Sequence, residues 1–482
     1  MTVRVAVVGA GVSGLTGAYD LRRLLGDETR IDVFCADEAP GGILASATVG
    51  GRSLDVGAEA FIVRRPEARD LVIELGLGGD IVAPGALRPA VWSGGALHHL
   101  PSPALMGIPA TPAALGGLVD DAQRRIVASE EDRPLEWTPG ADVAVGDLVA
   151  DRFGEVVVAR AVDPMLGGVY SARARDLGLR EAIPALAAAL DAGAPSLTAA
   201  VGDVLSRPTG TGPVFGALRG GYRMLVDALV DAARADLHVG AVVRGVHRVG
   251  ARYDLDVAGH DGADGLTGSG ATGYGATGYD ATGYDATGYD AVLVAVPVWT
   301  AGSLLGSAAP DAGAAFSGVD AAGSAVVAFA VDGETPQHSG VLVASDAADL
   351  SIKAITFSSR KWPHLAGAGG RSVLRASFGR LGKPVVDTDD DLVAAATADL
   401  RTVFGAAGLA APDVVEAAVQ RWPTGLPHYR PGHLAAMAAG VASLPAGIAV
   451  AGSGYRGVGV PACIGTARDA AATLAAHVNA LT

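Results

Sequence analysis

Apolar runs of strand length and helical patterns alternate at the start of the chain. Val3–Val8 is a β-branched run that predicts a short strand, and the residues from Ser13 to Leu25 have the spacing of a helix. A second apolar run, Ile31–Cys35, predicts the next strand. Strands that alternate with helices are typical of a parallel sheet covered by helices on both faces. The opening therefore predicts an α/β domain.

The middle of the chain has a different pattern. Residues 101–200 are rich in Ala, Leu, Asp and Arg at helical spacing, which predicts a mostly helical lobe. Its predicted helical segments are Ala104–Ile126, Val143–Phe153 and Ile183–Leu190. Short alternating runs then return, and Arg252–Val257 predicts a strand.

One uncharged stretch, Ala291–Pro310, has the length of a membrane span. Pro297 interrupts it, and its first half is β-branched, so we expect a buried strand followed by a short helix. No integral membrane segment is therefore predicted.

Residues 271–290 form a repeat in which ATGYG is followed by three copies of ATGYD. A period of five is too short for a solenoid unit, and the recurring Gly and Asp oppose a packed core. Because the repeat lies between two predicted strands, we expect a surface hairpin loop within a low-complexity insertion at 261–290. A tyrosine array that binds a partner is the alternative.

Composition narrows the functional classes. The 482 residues, half of them hydrophobic and 18% charged, predict a globular protein of two or three lobes. A net charge of −15 provides no basic footprint for nucleic acid. Cys35 and Cys463 form neither a disulfide framework nor a zinc spacing, so no metal site is expected. The N-terminal run lacks a cleavage site, and we expect a cytoplasmic protein, with weak membrane association left open.

A GxGxxG motif lies between the first predicted strand and the first helix. It consists of Gly9, Ala10, Gly11, Val12, Ser13 and Gly14. Gly9 permits a tight turn, Gly11 lets the backbone approach a pyrophosphate, and Gly14 lets helix and strand pack closely. The helix N-terminus adds N–H donors and a positive dipole end. The motif predicts a dinucleotide cofactor but does not separate NAD from FAD.

A glycine pair, Gly41-Gly42, follows the second strand and resembles the FAD-binding extension of flavin amine oxidases. That family usually has Glu at the end of the second strand, where it holds the ribose hydroxyls. Cys35 stands there in this chain, and Asp37 is the nearest substitute. In that family a basic residue often follows the glycine pair. In this chain the residue at that position is Ile43, which is not basic.

A second glycine-rich turn lies near the C-terminus. Ile448–Gly452 predicts a buried strand, and Gly457–Pro461 (GVGVP) then opens an Ala-rich helix with Pro461 well placed in its first turn. In the flavin amine oxidase superfamily such a helix points at the flavin pyrimidine ring, where its dipole favours the reduced anion.

Several blocks, in order along nearly the whole chain, resemble the oxygen-dependent protoporphyrinogen and coproporphyrinogen oxidases. These blocks are Leu54–Leu77, Val162–Pro184, Pro213–Leu229, Ser339–Ser345, Ala354–His364, Arg421–His433 and Gly457–Ala471. The resemblance implies FAD as cofactor and oxidation of a porphyrinogen by six electrons in three steps, with O2 reduced to H2O2. It favours coproporphyrinogen III, with protoporphyrinogen IX as the alternative. More remote alternatives are a flavin amine oxidase or desaturase, which would share only the FAD fold, and a non-catalytic flavin- or haem-handling protein.

The resemblance also implies the domain organisation. We expect an α/β fold with a Rossmann-like FAD-binding domain of the amine oxidase type, a mixed-sheet substrate domain and a mostly helical lobe. The FAD-binding domain is discontinuous, at 1–80, 215–300 and 440–482. The helical lobe is expected at 85–212 and the substrate domain at 301–439.

The motifs and the resemblance together imply the site residues. The cofactor-binding set is Gly9, Gly11, Val12, Ser13, Gly14, Asp37, Gly41, Gly42, Gly57, Ala58, Val243, Trp422, Gly452, Gly459, Val460 and Pro461. Because the substrate carries propionates, cations must line its pocket, and Arg64 and Arg65 follow the flavin-proximal block. Tyr170 and Lys361 complete the predicted substrate set. The implied partners are the porphyrinogen, O2 and a downstream ferrochelatase.

Overall fold

The computed structural model describes residues 2–208, 210, 212–259, 285–366 and 371–481. Its strands are β1 (Arg4–Val8), β2 (Arg30–Cys35), β3 (Ser46–Val49), β4 (Arg52–Asp55), β5 (Phe61–Ile62), β6 (Ile81–Val82), β7 (Ala90–Ser93), β8 (Ala96–His99), β9 (Ala104–Leu105), β10 (Ile108–Pro109), β11 (Phe215–Leu218), β12 (Asp236–Val239), β13 (Ala241–Val249), β14 (Arg252–Gly259), β15 (Ala291–Val294), β16 (Ala321–Asp332), β17 (Gly340–Val343), β18 (Ala354–Thr356), β19 (Arg371–Phe378), β20 (Asp413–Pro427) and β21 (Ile448–Val450). Its α-helices are α1 (Val12–Leu25), α2 (Pro66–Glu74), α3 (Asp121–Ala128), α4 (Val145–Phe153), α5 (Glu155–Val157), α6 (Asp163–Tyr170), α7 (Leu179–Ala182), α8 (Pro184–Asp191), α9 (Leu197–Ser206), α10 (Arg223–Ala233), α11 (Val298–Leu305), α12 (Pro310–Ser317), α13 (Ser358–Lys361), α14 (Asp389–Ala406), α15 (His433–Ala442) and α16 (Val460–Leu481).

A parallel sheet carries the two glycine-rich turns. Its strand order is β12-β2-β1-β15-β21, and every neighbouring pair is parallel. Val5 and Val7 pack into the core that includes residues of α1, α10 and α16, while Ala6 and Val8 pack into the core on the other face. Both faces are covered, so the strands are apolar at successive positions, as the sequence pattern predicted.

A second, mixed sheet has the order β20-β16-β19-β18-β17-β7-β8. One of its faces packs against α14 and forms a separate core. On the other face, Leu342 pairs with Ala354, Ala354 with Ser377, and Ser324 with Trp422. These side chains are only half-buried. The sheet therefore has one face in this core, and a second face that is covered by β3 and β4 at Val326, Ala328 and Val373 and only half-buried beyond them.

The predicted fold class is confirmed, and so are β1, α1, β2, β14, α4 and α8. Ala291–Pro310 forms β15 and α11, as the sequence predicted. Within the described part of the chain, no helix has the length and apolarity that crossing a membrane requires.

The predicted helix at Ala104–Ile126 is wrong over most of its length. The segment starts as the hairpin β9–β10, continues as a 3-10 turn and becomes α-helical only at α3. Pro109 and Pro112 lack an N–H to donate, and Gly107 in the hairpin turn has φ +86. The restrictions that these prolines and this glycine place on the backbone therefore prevent the helix that the apolar spacing predicted.

Two segments lie elsewhere than the predicted domain ranges suggest. The strands β7 and β8, inside the range of the helical lobe, pair into the mixed sheet. The helices α11 and α12, mostly inside the substrate-domain range, pack against the parallel sheet. The division into three domains otherwise stays a prediction.

The last ATGYD copy, Ala286–Asp290, is part of the core, so the prediction of a surface loop is wrong for it. Tyr289 is 1% exposed, and its hydroxyl donates to Oδ2 of Asp32 at 3.1 Å. The Arg4 guanidinium lies 4.8 Å from the centre of the Tyr289 ring. This copy leads directly into β15 and bridges to Tyr253, which gives its tyrosine a buried face. The other copies fall partly or wholly within 260–284, outside the described residues.

We predict that Tyr289→Ala lowers the free energy of unfolding by about 3–5 kcal/mol, the range for removing a buried aromatic side chain. Thr287→Ala, at an exposed position in the same repeat, is the control and should change it by less than about 0.5 kcal/mol. Urea denaturation followed by circular dichroism measures both. Equal midpoints for Tyr289→Ala and the parent protein would contradict a core role.

Candidate active site

The turn after β1 is shaped by glycines that have no room for a side chain. Gly9 has φ +107, and a Cβ there would lie 2.5 Å from the carbonyl oxygen of Ala295. A Cβ on Gly14 would overlap the carbonyl oxygen of Gly9. These two glycines bring the start of α1 close against the strands, as the motif predicted.

Gly11 is different, because a Cβ there would meet only the carbonyl oxygen of Gly41, at 4.0 Å. The N–H of Gly41 donates to the carbonyl of Ala10 at 2.9 Å, and a Cβ on Gly42 would lie 3.4 Å from the Cα of Gly11. The bare backbones of Gly11, Gly41 and Gly42 therefore converge in front of α1.

The first turn of α1 has neither a side-chain cap nor an acidic residue. Its free N–H groups and positive dipole end favour an anion. A cradle of bare backbone at an uncapped helix N-terminus fits the pyrophosphate of FAD. Val12 and Ser13 are buried in that turn.

A second helix N-terminus adjoins the first. The hydroxyl of Ser13 donates to the carbonyl of Cys463 in α16 at 3.3 Å. Gly459, just before α16, is exposed, and a Cβ there would meet only Cδ of Pro461, at 3.6 Å. The first turn of α16 also lacks an acidic residue. Upstream, the N–H of Gly452 donates to Oγ1 of Thr466 at 3.0 Å and ties the end of β21 to this helix.

The loop Gly57-Ala58 joins the cradle to the mixed sheet. The N–H of Ala58 donates to the carbonyl of Ile43 at 3.3 Å. A Cβ on Gly57 would overlap that same carbonyl and would lie 3.4 Å from Cζ2 of Trp422. Five of the predicted cofactor residues thus lie in one neighbourhood although Trp422 is distant in sequence, namely Gly41, Gly42, Gly57, Ala58 and Trp422.

The predicted adenosine end lies at the carboxyl end of β2. Burial raises the pKa of the Cys35 thiol to about 11, so it is neutral and cannot replace a carboxylate. Asp37 is exposed, its carbonyl accepts from Gly240, and among the described residues its carboxylate has no hydrogen-bond donor. Val243 follows on β13 and packs beside the sheet. Asp37 remains the predicted ribose ligand.

A buried charged trio under the cradle was missed by sequence reasoning. Glu59 is 8% exposed, and its Oε2 lies 2.5 Å from Nζ of Lys361 and 3.3 Å from Nη2 of Arg375. Burial alone would raise the pKa of Glu59, but Arg375 and Lys361 outweigh it and lower that pKa to about 2. Nη1 of Arg375 also donates to the carbonyl of Asp55 at 2.6 Å. The trio fixes the loop at 57–59, which is predicted to lie close to the flavin, against α13 and β19.

A signal for Glu59 did exist in the sequence. It is the acidic residue that directly follows the small, apolar VGA of the block at Leu54–Leu77. Its two cationic partners lie some 300 positions away, at separations that no local pattern reports.

Tyr429 was also missed, and it holds the turn before α16. Its hydroxyl donates to the carbonyl of Ser453 at 2.6 Å and accepts from the N–H of Gly457 at 2.7 Å. The ring of Tyr170 lies 6.0 Å from that of Tyr429. Burial raises the pKa of Tyr170 to about 12, so its hydroxyl stays protonated.

The predicted substrate residues do not form one cluster. Arg64 and Arg65 are exposed on the segment between β5 and α2. Arg64 donates to the carbonyl of Gly212 at 2.7 Å, and Arg65 pairs with Glu67 at 2.6 Å. Lys361 is held by Glu59, and Tyr170 lies beside Tyr429. Their contacts with a substrate stay predictions.

If the cradle holds the FAD pyrophosphate, Gly11→Val should yield folded, colourless protein. The backbone at Gly11 has φ −75, and a Cβ there would have only the carbonyl oxygen of Gly41 near it, at 4.0 Å, so the apoprotein should fold. The valine side chain would, however, occupy the space that the pyrophosphate needs. Gly405→Val, on the exposed side of α14, is the control and should keep its flavin. Flavin absorbance per protein, with circular dichroism for folding, measures the result. Full flavin content in Gly11→Val would show that the cradle is elsewhere.

Comparison with known proteins agrees with this geometry. The chain is 44% identical over 478 residues to the coproporphyrinogen III oxidase of Mycobacterium leprae (strain TN), covering 98% of each. It is 25% identical over 480 residues to the coproporphyrinogen III oxidase of Bacillus subtilis (strain 168), covering 95% of each. A crystal structure from Exiguobacterium sp. 255-15, provisionally named a protoporphyrinogen oxidase, superposes with a TM-score of 0.81 at 25% identity and covers 99% of each chain.

The family of flavin containing amine oxidoreductases matches nearly the whole chain. The match runs over residues 12–475 and includes α1, the mixed sheet and the second glycine-rich turn, while Gly9 and Gly11 lie just before it. Together with the similarity to Mycobacterium leprae coproporphyrinogen III oxidase, this makes the chain a member of the flavin-containing amine oxidoreductase family.

Proposed function

We propose that the protein oxidises coproporphyrinogen III to coproporphyrin III, with FAD as cofactor and O2 as the final electron acceptor. Six electrons and six protons leave the porphyrinogen in three equal steps, and three O2 become three H2O2. Bound FAD supplies the two-electron acceptor of each step. The full-length similarity to relatives of that name carries the assignment.

The site supports this reaction by positioning the substrate rather than by supplying a strong base. Aromatisation supplies the driving force, so the protein must hold a ring C–H close to the flavin. The half-buried face of the mixed sheet, with Leu342, Ala354 and Trp422, borders the cradle through Gly57. Opposite this sheet, α6 exposes Gly168 and Val169 at its C-terminal end. In this proposal, a flat, largely apolar macrocycle binds between these two surfaces, which we call the substrate gap.

The chain's own residues set the geometry of this gap. Glu59, Lys361 and Arg375 lock the flavin-proximal loop to the sheet. Tyr429 fixes the turn that precedes α16. The N-terminus of α16 would hold positive charge next to the pyrimidine ring of bound FAD and would stabilise its reduced, anionic form. In this proposal, Arg64 and Arg65 contact propionates at the rim, where both are exposed.

The proposed function also has implications for the protein's cellular location and partners. We infer a cytoplasmic location, a ferrochelatase as the enzyme that uses the product, and weak contact with membranes. Ile62, Val214 and Phe215 support the last point, because they are 40%, 41% and 48% exposed. Ile62 pairs with Phe215 across β5 and β11, which makes the three neighbours on one surface.

The test offers the purified holoprotein coproporphyrinogen III and protoporphyrinogen IX in parallel. Porphyrin fluorescence should appear with the higher kcat/KM for coproporphyrinogen III, with about three O2 consumed per porphyrin formed. The flavin-free Gly11→Val protein corrects for spontaneous oxidation. Faster turnover of protoporphyrinogen IX would favour the alternative substrate, and no porphyrin from either, with FAD bound, would overturn the proposal.

A further inference from the structure

We propose that Lys353 and Arg380 form a carboxylate-binding subsite that holds one propionate of the substrate at the junction of the mixed sheet and the helical lobe. The inference rests on the proposed function and adds a specificity determinant to it. Neither residue belongs to the cofactor cradle or to the Glu59 trio.

Lys353 is a cation with no counter-ion among the residues that the structure describes. It is one of three lysines in the chain and immediately precedes β18. Its side chain is half-buried, and Nζ donates to the hydroxyl of Ser171 at 2.5 Å. Among the described residues it forms no ion pair. A poorly solvated ammonium whose partner is a neutral hydroxyl is electrostatically unsatisfied.

Arg380 adds a second unpaired cation. It follows β19, is half-buried, and its guanidinium forms no hydrogen bond or ion pair with the described residues. The backbone links the two positions through Ser171, whose carbonyl accepts from the N–H of Leu381 at 2.7 Å. Burial, and then Arg380, lower the pKa of Lys353 to about 8, which shows that the two charges act on each other.

One carboxylate, Asp163, offsets only part of the positive charge of the pair. Asp163, at the start of α6, interacts with Arg380 through space. Both of its oxygens are already occupied, Oδ1 by the N–H of Ala174 at 2.7 Å and Oδ2 by the hydroxyl of Ser345. Arg173, which is exposed, also acts on Arg380 and is cationic, and the exposed Lys383 exchanges backbone hydrogen bonds with Arg380. The local charge is therefore positive, in a chain whose net charge is −15.

This positive spot borders the proposed substrate gap. Ser171, the partner of Lys353, directly follows Tyr170, whose ring approaches Tyr429 beside the turn before α16. Gly168, in the same helix, lies against the half-buried face of the sheet, since a Cβ there would be 3.6 Å from Cδ2 of Leu342. The pair is therefore next to residues that line the proposed gap, and in this inference one propionate of the macrocycle reaches it.

The chemistry of the pair selects a carboxylate. Two cationic side chains with unused N–H donors match the two oxygens of a propionate, and charge-assisted hydrogen bonds are strongest where water is scarce. Coproporphyrinogen III offers four such groups. Protonation of Lys353 is required, so kcat/KM for the free acid should fall as the pH rises through about 8.

The experiment compares Lys353→Met, Lys353→Arg and the control Lys383→Met, which removes an exposed lysine. Each holoprotein is assayed with coproporphyrinogen III and with its uncharged tetramethyl ester. Lys353→Met should lose about 10- to 100-fold in kcat/KM for the free acid, mainly through KM. It should lose less than about threefold for the ester. Lys383→Met should match the parent protein.

The variant Lys353→Arg distinguishes a binding role of the positive charge at this position from a merely structural role of the side chain. Arginine stays protonated, so this variant should keep activity on the free acid and lose the decline near pH 8. Equal losses of Lys353→Met on free acid and ester, or no loss on either, would overturn the subsite while leaving the proposed function intact. Failure of the parent protein to oxidise coproporphyrinogen III would instead overturn the proposed function.

Discussion

The N-termini of α1 and α16 are held side by side, and the rest of the structure depends on that constraint. Each helix presents unpaired N–H groups and a partial positive charge, and Ser13 ties their first turns together through the carbonyl of Cys463. Such an arrangement is favourable only when anionic or electron-rich groups lie between the helices. The strand order β2-β1-β15-β21 enforces it, because β1 precedes α1 and β21 precedes α16 in one parallel sheet.

Polar links fasten the mixed sheet to this centre. Arg375, on β19, reaches the backbone of Asp55 and the carboxylate of Glu59, while Tyr429, just after β20, holds Gly457. A buried ion trio costs desolvation free energy that its attraction only partly offsets, so it contributes specificity more than stability. These directional bonds fix the distance between cradle and sheet, which apolar packing alone would leave adjustable.

The sequence predicted the features whose cause is local. β1, α1, β2 and both glycine-rich turns follow from apolar periodicity and from glycines at fixed offsets. At Ala104–Ile126 the helical spacing was real, but prolines and a tight turn prevented the helix. The last ATGYD copy has the composition of a loop, yet Tyr289 is buried because Asp32, far earlier in the chain, accepts its hydroxyl. The sequence did not predict roles for Glu59 and Lys353 because the residues around each of them are distant in sequence and only the fold brings them together.

The distribution of cations explains how an acidic protein can serve anionic ligands. Lysine is rare, and two of the three lysines, Lys353 and Lys361, are half-buried beside the substrate gap, whereas Lys383 is exposed. An exposed cation is screened by water and salt, but one in a partly dry gap acts at full strength on a carboxylate. A net negative charge is therefore compatible with a locally positive spot at Lys353, which forms no ion pair with the described residues. In the proposed subsite, the poorly solvated Lys353 and Arg380 supply the attraction that a substrate propionate needs.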